Sequence, residues 1–160
     1  MNSPDAAGNI GAGLLAGLLA GLTAAWAMNA AQAVFPIKPR GNSDPATVRA
    51  ARQLNRLVTG KPLAQSRKRQ AGTVVHYAFG ALVGGVYGVL AERYPRVTMG
   101  WGLPFGLAVT AIADEAAIPA LGLGPAPWAT DSKTHAYGAG SHLVFGTVAE
   151  TVRKITRPLF

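Results

Sequence analysis

The chain has 160 residues, of which 49% are hydrophobic and 14% are charged, and it contains 20 glycines and no cysteine. The charged fraction is well below the roughly 25% of a soluble domain, and the lack of cysteine excludes disulfides and thiolate metal sites. The net charge is +8, but the basic residues cluster in one segment instead of covering a globular surface, which argues against nucleic-acid binding. We therefore predict an all-α membrane protein with a single domain over residues 1–160.

The first predicted element is a membrane-spanning helix over residues 10–35. No charged residue lies between Asp5 and Lys38, and the uncharged run exceeds the roughly 20 apolar residues that cross a bilayer.

The segment 37–70 is polar and basic, and we predict a short amphipathic helix within it. Asp44 and Pro45 are typical of a helix start, and Gly60 is typical of a helix end. Apolar residues on one side oppose Arg49, Arg52 and Arg56. This pattern favours a helix on the membrane surface whose arginines contact lipid phosphates. A solvated helical loop is the alternative.

Three further spans are predicted at residues 71–92, 99–123 and 133–157. Pro104 and Pro119 in the third are compatible with a membrane helix if its neighbours satisfy the freed carbonyl groups. The fourth is the least hydrophobic, so three spans plus an interfacial helix is the alternative. The four spans predict a bundle of four transmembrane helices, and the short surface helix lies between the first and the second.

The distribution of Lys and Arg predicts the orientation of this bundle. Ten of the fifteen basic residues lie in the loop 37–70 or at Lys133, and the other five belong to the opposite side. The positive-inside rule therefore places the loop 37–70 in the cytoplasm, in a multi-pass protein of the bacterial inner membrane.

Glycines recur at every fourth position in all four apolar segments. A four-residue step keeps them on one helix face, and in membranes small residues let two helix backbones approach closely. We predict helix-packing roles for Gly13, Gly17, Gly21, Gly80, Gly84, Gly88, Gly102, Gly106, Gly138 and Gly146.

Polar side chains within these segments form the candidate site. At 1.5 Å per residue, they lie about 8–13 Å from the same end of the bundle, and the set is Asn29, His76, Asp114, Glu115 and His142. Two acids, Glu92 and Glu150, belong to the other leaflet. Because ionisable groups inside a bilayer are costly, they need partners or water, and a carboxylate beside a histidine can share a proton.

Three interpretations of this polar set stay open. The groups can be hydrogen-bonding glue between helices, a cavity that handles protons or a small solute, or a metal or haem site whose weak candidate ligands are His76 and His142. Motifs for a nucleophile, a phosphate loop or a dinucleotide are absent from the sequence. We therefore expect neither an enzyme nor a cofactor, and the catalytic residues and the solute stay unknown.

Short motifs from residue 70 to 155 resemble a known family. They are VVHYAFGALVGGVYGVLAERYP, MGWGLPFGL, IPALGLGPAPW and SHLVFGTVAETVRK. The matching positions are His76, Ala91, Glu92, Pro95, Trp101, Gly102, Pro119, Gly122, Leu123, Trp128, His142, Leu143 and Glu150. This pattern resembles the YagU-like family of bacterial inner-membrane proteins, a domain of unknown function. The resemblance implies an integral membrane protein without an assigned activity.

Our working hypothesis is a small proton- or solute-handling membrane protein. The rival is a non-catalytic packing subunit of a larger membrane complex. Expected partners are membrane lipids, including anionic headgroups, and either a larger complex or further copies of the chain. In a self-contained site the glycine stripes converge inside one bundle, whereas in a subunit at least one stripe faces outward.

Overall fold

The computed structural model describes residues 4–37 and 44–160, with side chains from Ile10 onward. In this part of the chain the secondary structure is entirely helical. The main helices are α1 (Pro4–Val34), α2 (Ala46–Thr59), α3 (Lys68–Arg93), α4 (Leu103–Val109), the single turn α5 (Ile118–Ala120) and α6 (Ser132–Thr156). Lys38 and Arg40, which belong to the predicted basic segment 37–70, lie outside the described residues.

Three segments are long and apolar enough to cross a membrane. They are Ile10–Val34, Gln65–Arg93 and Pro95–Ala120. The prediction of an all-α membrane protein is confirmed at this level, whereas α6 does not reach the same hydropathy and a fourth span is not established. Its N-terminus is capped by the Asp131 side chain, which accepts hydrogen bonds from the backbone N–H groups of Lys133 and Thr134.

The helix α2 differs from the expectation at its start. Pro45 occupies the cap position and no side chain caps the helix, because the Asp44 carboxylate pairs with Arg52 and Lys68 instead. Its end is as expected, since Gly60 adopts the left-handed conformation with φ 70°. The apolar residues Leu57 and Val58 near this end are each 82% exposed.

Helix α1 packs against α3 through glycines. Gly13, Gly17 and Gly21 face Gly88, Gly84 and Gly80 in antiparallel order, and a Cβ atom on Gly84 would lie 2.5 Å from the Gly21 Cα. Backbone contact of this kind needs glycine because any side chain would separate the helices. The same device joins α4 to α6, where Gly102 and Gly106 meet Gly146 and His142.

The third apolar segment is not one continuous α-helix. Its start is a tight turn in which Gly100, Trp101 and Gly102 all have positive φ. After α4 the chain forms a π-helix over Thr110–Ala117 before the turn α5. We call this assembly of α4, the π-helix and α5 the α4–α5 rod. π-Helical insertions are rare and often mark functional positions.

The helices α1, α3 and α6 and the α4–α5 rod enclose a gap. Helix α3 packs on α1 and α4 packs on α6, while α1 and α6 also pack on each other. No comparable interface joins α3 to the α4–α5 rod. Helix α2 crosses one end of this gap, since its Val48 meets Gly72 of α3 and its Gln53 donates a hydrogen bond to the Leu121 carbonyl just after α5.

Candidate functional site

The gap between α3 and the α4–α5 rod contains a cavity of about 920 Å³. Its back wall comes from α1 and α6, and α2 contributes residues near one end. Most of the lining is apolar, including Met28, Phe79, Val83, Val109 and Phe145. A volume near the upper end of the range for small-molecule sites, with a few polar groups in an apolar wall, is typical of a binding pocket.

The polar centre of this cavity is the pair formed by Asp114 and His142. The Asp114 Oδ2 and His142 Nδ1 atoms are 3.4 Å apart, and both residues line the cavity. The same His142 nitrogen lies 3.0 Å from the Gly138 carbonyl oxygen. When His142 Nδ1 carries the proton, the Gly138 carbonyl and the Asp114 carboxylate both lie near it, and Asp114 also lines the cavity.

The neighbouring acid Glu115 has a different environment. Its Oε1 lies 2.6 Å from His135 Nδ1, and the other imidazole nitrogen lies 3.1 Å from the Pro127 carbonyl oxygen. Glu115 and His135 are not among the residues that line the cavity. The two predicted acids thus belong to separate carboxylate–imidazole pairs, Asp114 with His142 and Glu115 with His135, and only the first pair faces the cavity.

The remaining predicted residues also contribute to the cavity wall. His76 lines the cavity with its Nε2 atom 3.3 Å from the Ala25 carbonyl oxygen, so it does not pair with an acid. Asn29 donates to the Tyr77 hydroxyl at 3.4 Å, and Gln32 donates to the Ser141 hydroxyl at 3.1 Å. These polar groups form hydrogen bonds between helices, which is the behaviour of interhelical glue.

Basic residues surround the α2 end of the cavity. The Asp44 Oδ2 atom accepts hydrogen bonds from Arg52 Nη1 at 3.0 Å and Lys68 Nζ at 3.1 Å. The hydrogen bond from the Lys68 ammonium lowers the pKa of Asp44 below its usual range. We call the five cations here the basic cluster, which consists of Arg49, Arg52, Arg56, Lys68 and Arg69.

The other end of the bundle holds the second pair of predicted acids, and both are paired with arginine. Glu150 is fully buried, accepts from Tyr87 at 2.8 Å and from Arg153 at 2.8 and 3.0 Å. Glu92 accepts from Arg157 at 2.6 and 3.2 Å. Arg153 and Arg157, two of the basic residues near the C-terminus, therefore pair with acids of the bundle.

The pairing of Glu150 with Arg153 was not predicted, although the spacing of the two residues in the sequence indicates it. Glu150 and Arg153 are three positions apart, which places their side chains side by side on a helix. No sequence pattern indicated the contact of Trp101 with α6. Its indole N–H donates to Thr151 at 2.9 Å, and Lys154 Nζ lies 3.8 Å from its ring centre.

The metal interpretation has no support from this geometry. Among the side chains that the structure describes, no group of three His, Asp or Glu residues is arranged to hold a metal ion. His76 is bonded to a backbone carbonyl and His142 faces a single carboxylate. A site built from two imidazoles would also need their nitrogens to converge on one point.

Comparison with known proteins places the chain in a family. A family model described as "Protein of unknown function (DUF1440)" matches residues 23–151. The chain belongs to this family. As a DUF1440 protein it shares no assigned activity, and neither a curated protein nor a solved structure matches it. The match includes the cavity residues of α3, the α4–α5 rod and α6, so the candidate site lies within the matched residues.

Proposed function

We propose that this DUF1440 protein binds a small, largely apolar solute in the cavity and exchanges a proton at Asp114 and His142. The proposal includes the bacterial inner membrane as its location, a cytoplasmic loop 37–70 and a YagU-like relationship. The observation that carries it is the cavity of about 920 Å³ whose wall contains this acid–base pair.

The surroundings of Asp114 support proton exchange over a purely structural role. Its side chain lines the cavity, whereas Glu115, whose side chain is equally exposed, does not. The residue also lies in the π-helix, where the wider turn leaves backbone groups less regularly bonded. A carboxyl group beside an imidazole can accept or release a proton without leaving an unpaired charge.

The glycine stripes favour a self-contained site over a packing subunit. Glycines of α1 face those of α3, glycines of α4 face α6, and Gly138 lies against the Asp114 carboxylate. Each stripe is therefore turned towards another helix of the same chain. A packing subunit remains the second candidate function, in which the exposed Leu and Val side chains would meet a protein partner.

The proton-exchange proposal can be tested on the purified full-length protein in liposomes. Infrared spectroscopy should detect a carboxyl C=O band whose intensity changes with pH. Asp114→Asn should abolish this band, and His142→Gln should shift its midpoint. Proton flux under an imposed potassium diffusion potential should fall to the level of protein-free liposomes in Asp114→Asn.

A matched control comes from the neighbouring pair. Glu115→Gln removes a carboxylate one residue away that is also bonded to histidine but does not line the cavity. It should leave both the band and the flux unchanged. A spectrum without any titrating carboxyl band, or equal effects of both substitutions, would contradict proton exchange at Asp114.

A further inference from the structure

The cavity opens sideways because its two front walls are not joined. Helix α3 and the α4–α5 rod each pack on the back of the bundle and not extensively on one another. At the α2 end the gap is crossed by the contact of Val48 with Gly72 and the hydrogen bond from Gln53 to Leu121. An amphiphile that enters from the bilayer can therefore pass between α3 and the rod.

The edges of this lateral opening are apolar. Phe79 on α3 is 48% exposed and Leu121 at the end of the rod is 62% exposed, and both line the cavity. Both α3 and the rod belong to candidate membrane spans. The opening therefore faces the hydrocarbon layer, where a lipid chain is the most abundant apolar group.

The positive charge at the α2 end of the cavity favours a ligand with an anionic headgroup. Lys68 and Arg69 line the cavity near the end of the candidate span Gln65–Arg93, which is the level of lipid headgroups. Arg49, Arg52 and Arg56 line an adjacent pocket of about 250 Å³. Among the described residues, Asp44 is the acid whose carboxylate pairs with this basic cluster, through Arg52 and Lys68, so an excess of positive charge remains.

We infer that the cavity binds one anionic phospholipid, with its phosphate at Lys68 and Arg69 and an acyl chain between α3 and the α4–α5 rod. The inference rests on the proposal that the cavity is a binding site. Lys and Arg side chains bind phosphate through charge-assisted hydrogen bonds. The apolar wall formed by Phe79, Val83 and Val109 supplies the surface for the chain.

Native mass spectrometry of the full-length protein can test this assignment. The protein in mild detergent is mixed with equal amounts of phosphatidylglycerol and phosphatidylcholine that carry the same acyl chains. We expect one phosphatidylglycerol bound per chain in clear preference to phosphatidylcholine. Lys68→Gln with Arg69→Gln should lower this preference by about thirtyfold, since each cation near an anionic headgroup contributes about fivefold.

Two matched controls separate this site from general effects. Arg93→Gln with Arg96→Gln removes the same charge from two exposed arginines at the far end of α3 and should not change the preference. Ala117→Leu narrows the cavity and should reduce binding of both lipids, whereas Ala116→Leu alters an exposed neighbour that does not line it. Unfolding temperatures of all variants establish that they are folded.

The outcomes distinguish the inference from the function on which it rests. Equal binding of the two lipids that Ala117→Leu still reduces would overturn the choice of an anionic head and leave the cavity as a binding site. Binding that neither Ala117→Leu nor the double substitution affects would overturn both. If the wild-type protein shows no pH-dependent carboxyl band but still prefers phosphatidylglycerol, proton exchange at Asp114 is overturned and the lipid site is supported.

Discussion

Glu150 shows how this chain stabilises charge inside a helical bundle. Its carboxylate is completely buried, and its oxygens accept hydrogen bonds from Arg153 and Tyr87, with Lys154 Nζ at 3.4 Å. A buried charge is tolerated when every lone pair has a partner, and removing one partner leaves the other charge uncompensated. The Arg153 side chain is itself only 11% exposed.

We expect Glu150→Gln to destabilise the protein strongly. The substitution leaves the Arg153 guanidinium without its counter-charge, and breaking such a buried pair costs about 3–5 kcal/mol. Tyr87→Phe removes one hydrogen bond to the same carboxylate and should cost about 1–2 kcal/mol. Thermal unfolding in detergent, followed by circular dichroism, measures both effects.

The control for this prediction is Glu92→Gln. Glu92 also pairs with an arginine, Arg157, but the two side chains are 15% and 26% exposed. Solvent can partly replace the lost partner, so the unfolding temperature should fall less than in Glu150→Gln. Equal decreases in the two variants would contradict the importance of burial.

At the scale of single residues, the sequence indicated depth better than pairing. The rise of 1.5 Å per residue placed Asp114 and His142 at similar heights, and in the structure these two side chains meet. His76 was placed with them but bonds to the Ala25 carbonyl. Height on a helix follows from residue number alone, whereas a partner depends on helix rotation and on the π-helix over Thr110–Ala117, for which no sequence pattern was available.

At the scale of helices, the glycine stripes organise the bundle in two pairs. One pair is α1 with α3, and the other is α4 with α6. In each pair a main-chain carbonyl of one helix lies where a side chain on the other would have to go. The sequence pattern indicated which helix faces were small, and the chain reversals between spans favoured antiparallel neighbours.

We expect Gly84→Leu to weaken the α1–α3 pair. A Cβ atom on Gly84 would lie 2.5 Å from the Gly21 Cα and collide with the Gly17 carbonyl oxygen. The helices would have to separate, with a loss of several kcal/mol comparable to severe overpacking. The unfolding temperature in detergent should therefore fall by many degrees.

Gly140→Leu provides the matched control, because nothing lies within 4 Å of a Cβ atom built there. This glycine is also in the middle of a helix, where replacing it should slightly favour the helical backbone. Its unfolding temperature should be unchanged or higher. If both leucine variants unfold at the same temperature, close backbone contact is not what holds α1 to α3.

At the scale of the whole molecule, α6 decides the topology. It does not reach the hydropathy of the other three spans, yet it packs along α1 and α4 and carries half of the acid–base pair. A helix that lines the bundle interior needs fewer apolar residues than one surrounded by lipid. Composition alone therefore could not establish whether residues 133–157 cross the membrane.

Single cysteines can test this crossing, since the chain contains none. If α6 spans the membrane, Thr59→Cys and Ser132→Cys should be labelled from one side by a membrane-impermeant maleimide. Arg96→Cys and Leu159→Cys should then be labelled from the other side, and all four positions are exposed. Labelling of Ser132→Cys and Leu159→Cys from the same side would exclude a fourth span.

The cavity could not be predicted from the sequence because it results from an interface that does not form. The stripes indicate which helices approach each other, but they do not specify the separation of α3 from the α4–α5 rod. That separation depends on α1 and α6 packing on each other and on α2 bridging one end.

The contact between α1 and α3 is made of main-chain atoms, and this has a consequence for how relatives can diverge. Main-chain atoms have no rotamers to freeze, so bringing them together carries no side-chain entropy cost. The chemical nature of these main-chain contacts also stays the same when apolar side chains elsewhere in the chain are substituted. We therefore expect the α1–α3 pair to keep its geometry when Val83, Val109 or Phe145 is substituted, so that such changes alter the shape of the cavity alone.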